Sequence, residues 1–378
     1  MKGTILAALL LVGLVQNAAS LLAQTATAKS ISTIKKKKVP IKKKKAPYYK
    51  PAPPVDPTEG DNVDGEDLEI RRAAVDALGT MKGSVIVADP NTGRVLTIVN
   101  QKLAFEPGFI PCSTIKLVTS IAALNEHVIT RDTVVPISRY QRYTLTTAIA
   151  QSNNQYFSIL GNKLGFDRVT QYARLLGLGE KAGLDIAGEQ PGSVAAEPPK
   201  TGGVGLMTSF GEGFQMTPLE LAGLVSAIAN GGTLYYLQCP RTPDEIEHFT
   251  AKVKRSLDVS PEQLADLKLG MRGAVDFGTA RRANADPTEP IYGKTGTCTD
   301  FPTSYHMGWF GSFNEVAHNQ VVVVVMLTGT KTFNGPVASG VAGAIYRKLS
   351  EQRYFTADYS PRRQSDLPAI VTTYPVAR

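Results

Sequence analysis

The chain has 378 residues, 43 % of them hydrophobic, which is enough to bury a core of good size in one large domain or two average ones. Its formal charge of +8 belongs to the N-terminal tail: residues 1–50 hold 11 of the 41 basic residues and no acid, and the remainder carries a slight acidic excess. That distribution gives no support to a folded basic face for nucleic acid, and no nucleic-acid partner is expected; the three cysteines and four histidines lack the close spacing of a metal site, so no metal or other cofactor is expected.

Lys2 precedes an apolar run from Ile5 to Val15, which suits the core of a signal peptide, with Ala26-Thr27-Ala28 or Ala18-Ala19-Ser20 as the cleavage site. Leu21, Leu22 and Ala23 extend the apolar stretch enough to keep an uncleaved membrane anchor open as the alternative. Residues 1–28 are therefore expected to be a signal peptide or anchor. On either reading the body is exported, to the periplasm or another extracytoplasmic space, soluble or tethered. Residues 29–65 read as a disordered Lys/Pro-rich linker, because Lys35 to Lys38 and Lys42 to Lys45 repel one another and six prolines between Pro40 and Pro57 prevent regular structure. A solvated spacer is the plain reading; contact with anionic lipid or wall polymer is the sharper one.

The expected body runs over 66–355, with a tail over 356–378. Ser84 to Asp89 and Arg94 to Asn100 read as a hairpin around the turn Pro90-Asn91-Thr92-Gly93. Helices are expected over 113–126, 143–151, 155–164 and 167–176. Thr217-Pro218-Leu219-Glu220 is a capping box with Pro at the first helical position, and that helix should stop at Gly231-Gly232. Ser260-Pro261-Glu262-Gln263 opens another by the same logic. Tyr292 to Thr299, His306 to Phe313 and Gln320 to Leu327 read as strands, the last so apolar that it should be buried on both faces. A helix over 337–351 closes the body. Strands at both ends and helices between them predict one sheet assembled from both ends of the chain and covered by helices.

Three short segments carry chemistry. In Ser113-Thr114-Ile115-Lys116 the helical spacing lets Lys116 reach the Ser113 hydroxyl, and a serine at a helix start offers its own N–H to an oxyanion. Ser152-Asn153-Asn154 combines a hydroxyl for proton relay with an amide for a substrate carbonyl; on its own a polar helix break is the favoured reading. Lys294-Thr295-Gly296-Thr297 offers a cation and a hydroxyl to a carboxylate, with a glycine where a ligand or backbone approaches closely. The first two are weak alone, since S-x-x-K and S-x-N recur by chance about once in a chain of this length, whereas K-T-G is expected by chance in about one such chain in ten.

Together and in this order they resemble the S-x-x-K, S-x-N, K-T-G set of the penicillin-binding proteins and their β-lactamase relatives. Gly83 to Leu96, Leu145 to Phe157, Gly177 to Gly192, Met216 to Gly232 and His306 to Phe310 resemble further segments of the transpeptidase domain. The likeness covers residues 70–350 or thereabouts. It implies an α/β (α+β) fold: an antiparallel five-stranded sheet flanked by helices, with a mostly helical subdomain inserted. It also implies a serine-type D,D-transpeptidase acting on peptidoglycan stem peptides, and covalent capture of β-lactams. In that scheme Ser113 is the acylated nucleophile and Lys116 its proton acceptor. Ser152 relays a proton, Asn154 holds the substrate amide, and Lys294 and Thr295 bind the terminal carboxylate of D-alanyl-D-alanine. Gly296 and Thr297 complete the substrate strand, with the backbone N–H groups of Ser113 and Thr297 as oxyanion hole.

Alternatives stay open. A D,D-carboxypeptidase would pass the acyl group to water. A β-lactamase would need a deacylating base, and neither the E-x-x-L-N string nor the S-x-V variant of the second motif occurs. A non-enzymatic β-lactam-binding scaffold or sensor is the third, although a sensor calls for several apolar spans and one such run exists. The chain also departs from the family pattern, which places Pro-Gly directly before the nucleophile: Glu106-Pro107-Gly108 is followed by Phe109-Ile110-Pro111-Cys112, read as four extra residues. Cys112 and Cys298 would flank one cleft. They could pair in an oxidising compartment, but two buried small thiols are the favoured expectation.

Overall fold

Helix starts and strand alternation fix the local elements. The computed structural model describes residues 56–283, 286–300 and 304–359. The Asp67 carboxylate accepts from the amides of Glu69 and Ile70 and so caps α1 (Leu68–Leu78). The hairpin follows as β1 (Gly83–Ala88) and β2 (Val95–Val99). A 3₁₀ turn, Cys112–Ile115, runs into α2 (Lys116–Asn125). Then come α3 (Leu145–Ala150) and α4 (Asn154–Leu175), the latter broken at Gly165, where the two separate helices were expected to divide. α5 (Gly203–Phe210), α6 (Pro218–Ala229) and α7 (Pro261–Asp276) complete the middle of the chain. Both expected capping boxes are present, Thr217 with Glu220 and Ser260 with Gln263. The chain returns to the sheet as β3 (Ile291–Asp300), β4 (Tyr305–Asn314) and β5 (Val322–Thr330), and α8 (Gly335–Glu351) packs back on it.

The five strands lie in the order β2-β1-β5-β4-β3, every pair antiparallel. β5 sits at the centre, with Val325 opposite Val85 on one side and Phe310 on the other. Ile86, Val322, Val324, Met326, Trp309 and Phe313 face the helical subdomain. Val85, Val87, Val323, Val325, Leu327 and Phe310 face α1 and α8. A strand covered on both sides has no polar face to show, hence the unbroken valines. β3 is one of the two edge strands, and its outer side is turned to the start of α2.

The linker expected over 29–65 is shorter at its C-terminal end. Residues 56–65 are folded onto the hairpin, because the Asp61 carboxylate is buried: it accepts from the amides of Asn100 at 3.0 Å and Gln101 at 2.7 Å and pairs with Arg71 at 2.8 Å. Arg71 also pairs with Glu66 at 2.9 Å, and Glu66 accepts from Thr97 and Ile98. Sequence patterning gives no weight to one acid that finds a buried guanidinium. The boundary expected at 355 moves outward for a similar reason: the Tyr359 hydroxyl donates to Glu69 at 2.7 Å. The signal or anchor expectation for 1–28, the rest of the linker and the tail from 360 lie outside the described residues. Among the described residues no helix is long and apolar enough to cross a membrane.

The favoured expectation for the cysteines is overturned. Cys112 and Cys298 form a disulfide, their Cα atoms 5.5 Å apart, while Cys239 is free. The physical reason is that β3 brings residue 298 alongside the turn before α2.

Candidate active site

Ser113 sits in the first turn before α2, where amide N–H groups lack a helical acceptor. One turn later Lys116 points back along the helix, as side chains do, and its Nζ lies 2.6 Å from Ser113 Oγ. The same Nζ donates to Asn154 Oδ1 at 2.6 Å and to the Ser152 carbonyl at 3.2 Å. The Phe157 ring lies 5.7 Å away and closes the apolar side of the pocket.

The second motif is a break between α3 and α4, and the sequence explains its shape. Ser152 adopts φ 54, in the left-handed region, so α3 ends there and the chain turns. Asn153 then caps α4 by accepting from the Tyr156 amide at 2.8 Å. The helix-break reading and the functional one are thus the same feature. The turn presents Ser152 Oγ 3.2 Å from Lys116 Nζ and 2.8 Å from Lys294 Nζ.

Lys294, Thr295, Gly296 and Thr297 lie on β3. Lys294 is fully buried and also donates to the Thr295 carbonyl at 2.9 Å. Gly296 allows close approach: a Cβ there would stand 3.0 Å from the Pro111 carbonyl and 3.2 Å from a Thr114 methyl. The Thr297 hydroxyl accepts from the Gly335 amide at 2.8 Å, so its side chain is engaged with the start of α8. Hydrogen bonds thus link Ser113, Lys116, Ser152, Asn154 and Lys294 in one cluster, Gly296 lies against the turn that carries Ser113, and Thr295 and Thr297 share its strand with their hydroxyls engaged by Thr279 and Gly335.

Electrostatics separate the two lysines from ordinary ones. Burial, reinforced by the Lys294 charge, holds Lys116 well below the usual ammonium range. Burial alone pushes Lys294 down to about 7. In its neutral form Lys116 would carry a lone pair within reach of the Ser113 hydroxyl, the arrangement a general base needs.

Sequence reasoning missed Thr279. It follows α7, its amide donates to the Ala150 carbonyl at 3.0 Å, and its hydroxyl lies 2.6 Å from that of Thr295. Gly278 before it permits the pass beneath Ala150, where a Cβ would clash with the backbone. The one available signal was Gly-Thr just past a helix end.

The four residues read as an insertion are built into the site. Phe109 and Met216 exchange backbone hydrogen bonds of 3.0 and 2.7 Å, and Trp309 Nε1 donates to the Ile110 carbonyl at 3.1 Å. Pro111-Cys112 stands where the family pattern has Pro-Gly, and Cys112 adopts φ 52, the backbone a glycine would favour.

A family described as penicillin binding protein transpeptidase domain matches residues 83–351. Among curated proteins, the chain is 28% identical over 289 residues to the stage V sporulation protein D of Bacillus subtilis, covering 66% of this chain and 43% of that one. It is 22% identical over 367 residues to the peptidoglycan D,D-transpeptidase MrdA of Haemophilus influenzae, covering 75% and 55%. The chain thus spans about half the length of these relatives. Of solved structures, one titled a peptidoglycan glycosyltransferase from Burkholderia ambifaria superposes with a TM-score of 0.65 at 21% identity, over 79% of this chain and 99% of that one. A D,D-transpeptidase domain from Eggerthella lenta gives 0.59 at 22%, over 75% and 81%. At such identities the structural likeness bears on the fold.

Proposed function

This chain belongs to the penicillin-binding protein transpeptidase family, and from that premise we propose that it is a serine D,D-transpeptidase that acylates Ser113 with peptidoglycan stem peptides and is captured covalently by β-lactams. The observation that carries the reading is the contact of Lys116 Nζ with Ser113 Oγ at 2.6 Å, inside a pocket that disfavours the ammonium form.

Lys116 takes the Ser113 proton as Oγ attacks the carbonyl between the two terminal D-alanines. Charge develops on that carbonyl oxygen, and the backbone N–H groups of Ser113 and Thr297 receive it. Ser152 lies within hydrogen-bond distance of both lysines, which supports its role in passing the proton from Lys116 to the departing amine. The C–N bond breaks, D-alanine leaves, and the ester on Ser113 awaits an amine. Lys294 and Thr295 hold the terminal carboxylate, which restores the Lys294 charge that burial disfavours. Asn154 keeps its amide N–H₂ for the substrate backbone while its oxygen holds Lys116. The body acts outside the cytoplasmic membrane, carried there by residues 1–28, with the Lys-rich segment after them as spacer or as contact for anionic lipid or wall polymer.

Intact-mass analysis after exposure to penicillin, followed over time, tests this. A single adduct on Ser113 that persists for many minutes is expected. Rapid loss of the adduct would make the chain a β-lactamase, and no adduct at all would make it a scaffold.

A further inference from the structure

The disulfide joins the two residues that border the proposed oxyanion hole. Cys112 directly precedes Ser113, and Cys298 directly follows Thr297. Each N–H assigned to the oxyanion is therefore one residue from a half-cystine, on segments separated by 186 residues in sequence. Cys112 is fully buried at φ 52, a backbone that costs any residue with a Cβ. Cys298 is half-buried. On the other side of Ser113 the turn is already pinned, since the Thr114 hydroxyl donates to the Pro111 carbonyl at 2.7 Å. Cys112 is the one strained residue in that turn.

We propose that Cys112 and Cys298 are positioning residues for acylation: their bond holds residue 112 in the left-handed conformation and thereby fixes the Ser113 N–H against that of Thr297. This rests on the acyl-transfer reading of Ser113. Glycine would need no such tether, because it adopts the left-handed backbone without penalty. Here cysteine replaces it, and the covalent bond to β3 takes over the work of the missing freedom. Once the bond is opened, Cys112 relaxes toward ordinary backbone angles, the Ser113 N–H turns away, and the rate of acylation falls while the sheet and helices persist.

Opening the bond is a balanced two-electron step. Dithiothreitol gives two electrons and two protons, the S–S bond becomes two S–H groups, and the reagent leaves as its cyclic disulfide.

The test is the rate of labelling by a fluorescent penicillin, measured on the full chain before and after dithiothreitol and its removal under anaerobic conditions. Circular dichroism and thermal unfolding are followed in parallel. The double variants C112A/C298A and C112G/C298A are measured alongside. The reduced chain and C112A/C298A should label about tenfold more slowly than the oxidised chain, from the usual cost of a left-handed residue. C112G/C298A should recover most of that loss and be indifferent to dithiothreitol. Equal rates for oxidised and reduced protein, or equal rates for the alanine and glycine variants, would overturn the proposal, and a lower unfolding temperature with unchanged labelling would reduce the disulfide to a plain stabiliser. If reduction unfolds the chain, the comparison of alanine with glycine decides. Failure of the oxidised chain to label at all would instead sink the acyl-transfer reading itself.

Discussion

Lys116 and Lys294 meet on a single oxygen: Ser152 Oγ lies 3.2 Å from the first ammonium nitrogen and 2.8 Å from the second. Two fully buried amines so close to one acceptor cannot both keep a charge cheaply, which suits the roles proposed for them, Lys116 as base and Lys294 as partner of an anion.

A pH dependence follows. Lys116 is depressed by burial and by the Lys294 charge, which favours its neutral form. Lys294, pushed down to about 7, loses its proton as the pH rises through that value in the free protein. The second-order rate of acylation by penicillin, which carries a carboxylate, should therefore decline above about 7. An ester substrate without that carboxylate should lack the alkaline decline. Stability has the opposite sign: between about 7 and the ordinary 10.5 the unfolded chain binds the proton that folded Lys294 does not, so stability should rise with pH across that window. A penicillin profile flat through pH 7 to 9 would contradict this.

Lys116→Ala should slow fluorescent-penicillin labelling by about 10²- to 10⁴-fold, the usual worth of a positioned base. Far-UV circular dichroism should be unchanged, since the helix keeps its hydrogen bonds. Retained labelling would remove Lys116 from the role.

Thr279→Val removes the partner of the Thr295 hydroxyl without changing shape. We expect KM for a carboxylate-bearing peptide to rise about two- to tenfold, the value of one hydrogen bond, with kcat little altered. Thr279→Ser should restore it. A loss confined to kcat would show that Thr279 does not act through carboxylate binding.

Arg71→Ala leaves Asp61 and Glu66 buried without their cation. Urea unfolding should show a loss of about 3–5 kcal/mol, typical when one member of a buried ion pair is removed. Burial already raises the Glu66 carboxyl above its usual range, so part of the loss should be relieved at acid pH. Unchanged stability would mean that residues 56–65 do not depend on this cluster.

Much of the architecture was legible along the chain. The capping boxes at Thr217 and Ser260, the unbroken valines of β5 and the turn after Ala88 are all local signals, set by hydrogen bonds and periodicities within a few residues. The motif residues Ser113, Lys116, Ser152, Asn154, Lys294 and Thr295 were legible for a different reason, their resemblance in kind and order to a known family. Their convergence was an inference from that resemblance.

Other features had no local signature. Whether Cys112 meets Cys298 depends on which strand takes the sheet edge and in what register. Whether Thr279 meets Thr295 depends on how far Gly278 lets the chain pass under Ala150. Whether Asp61 folds down on the hairpin depends on Arg71 arriving from α1. Sequence alone specified the elements and the reactive groups, because those rest on covalent neighbours and short periods. The tertiary structure alone decided which buried charges, thiols and hydroxyls share a site, because such pairings form between distant segments only after the sheet has closed around its central strand.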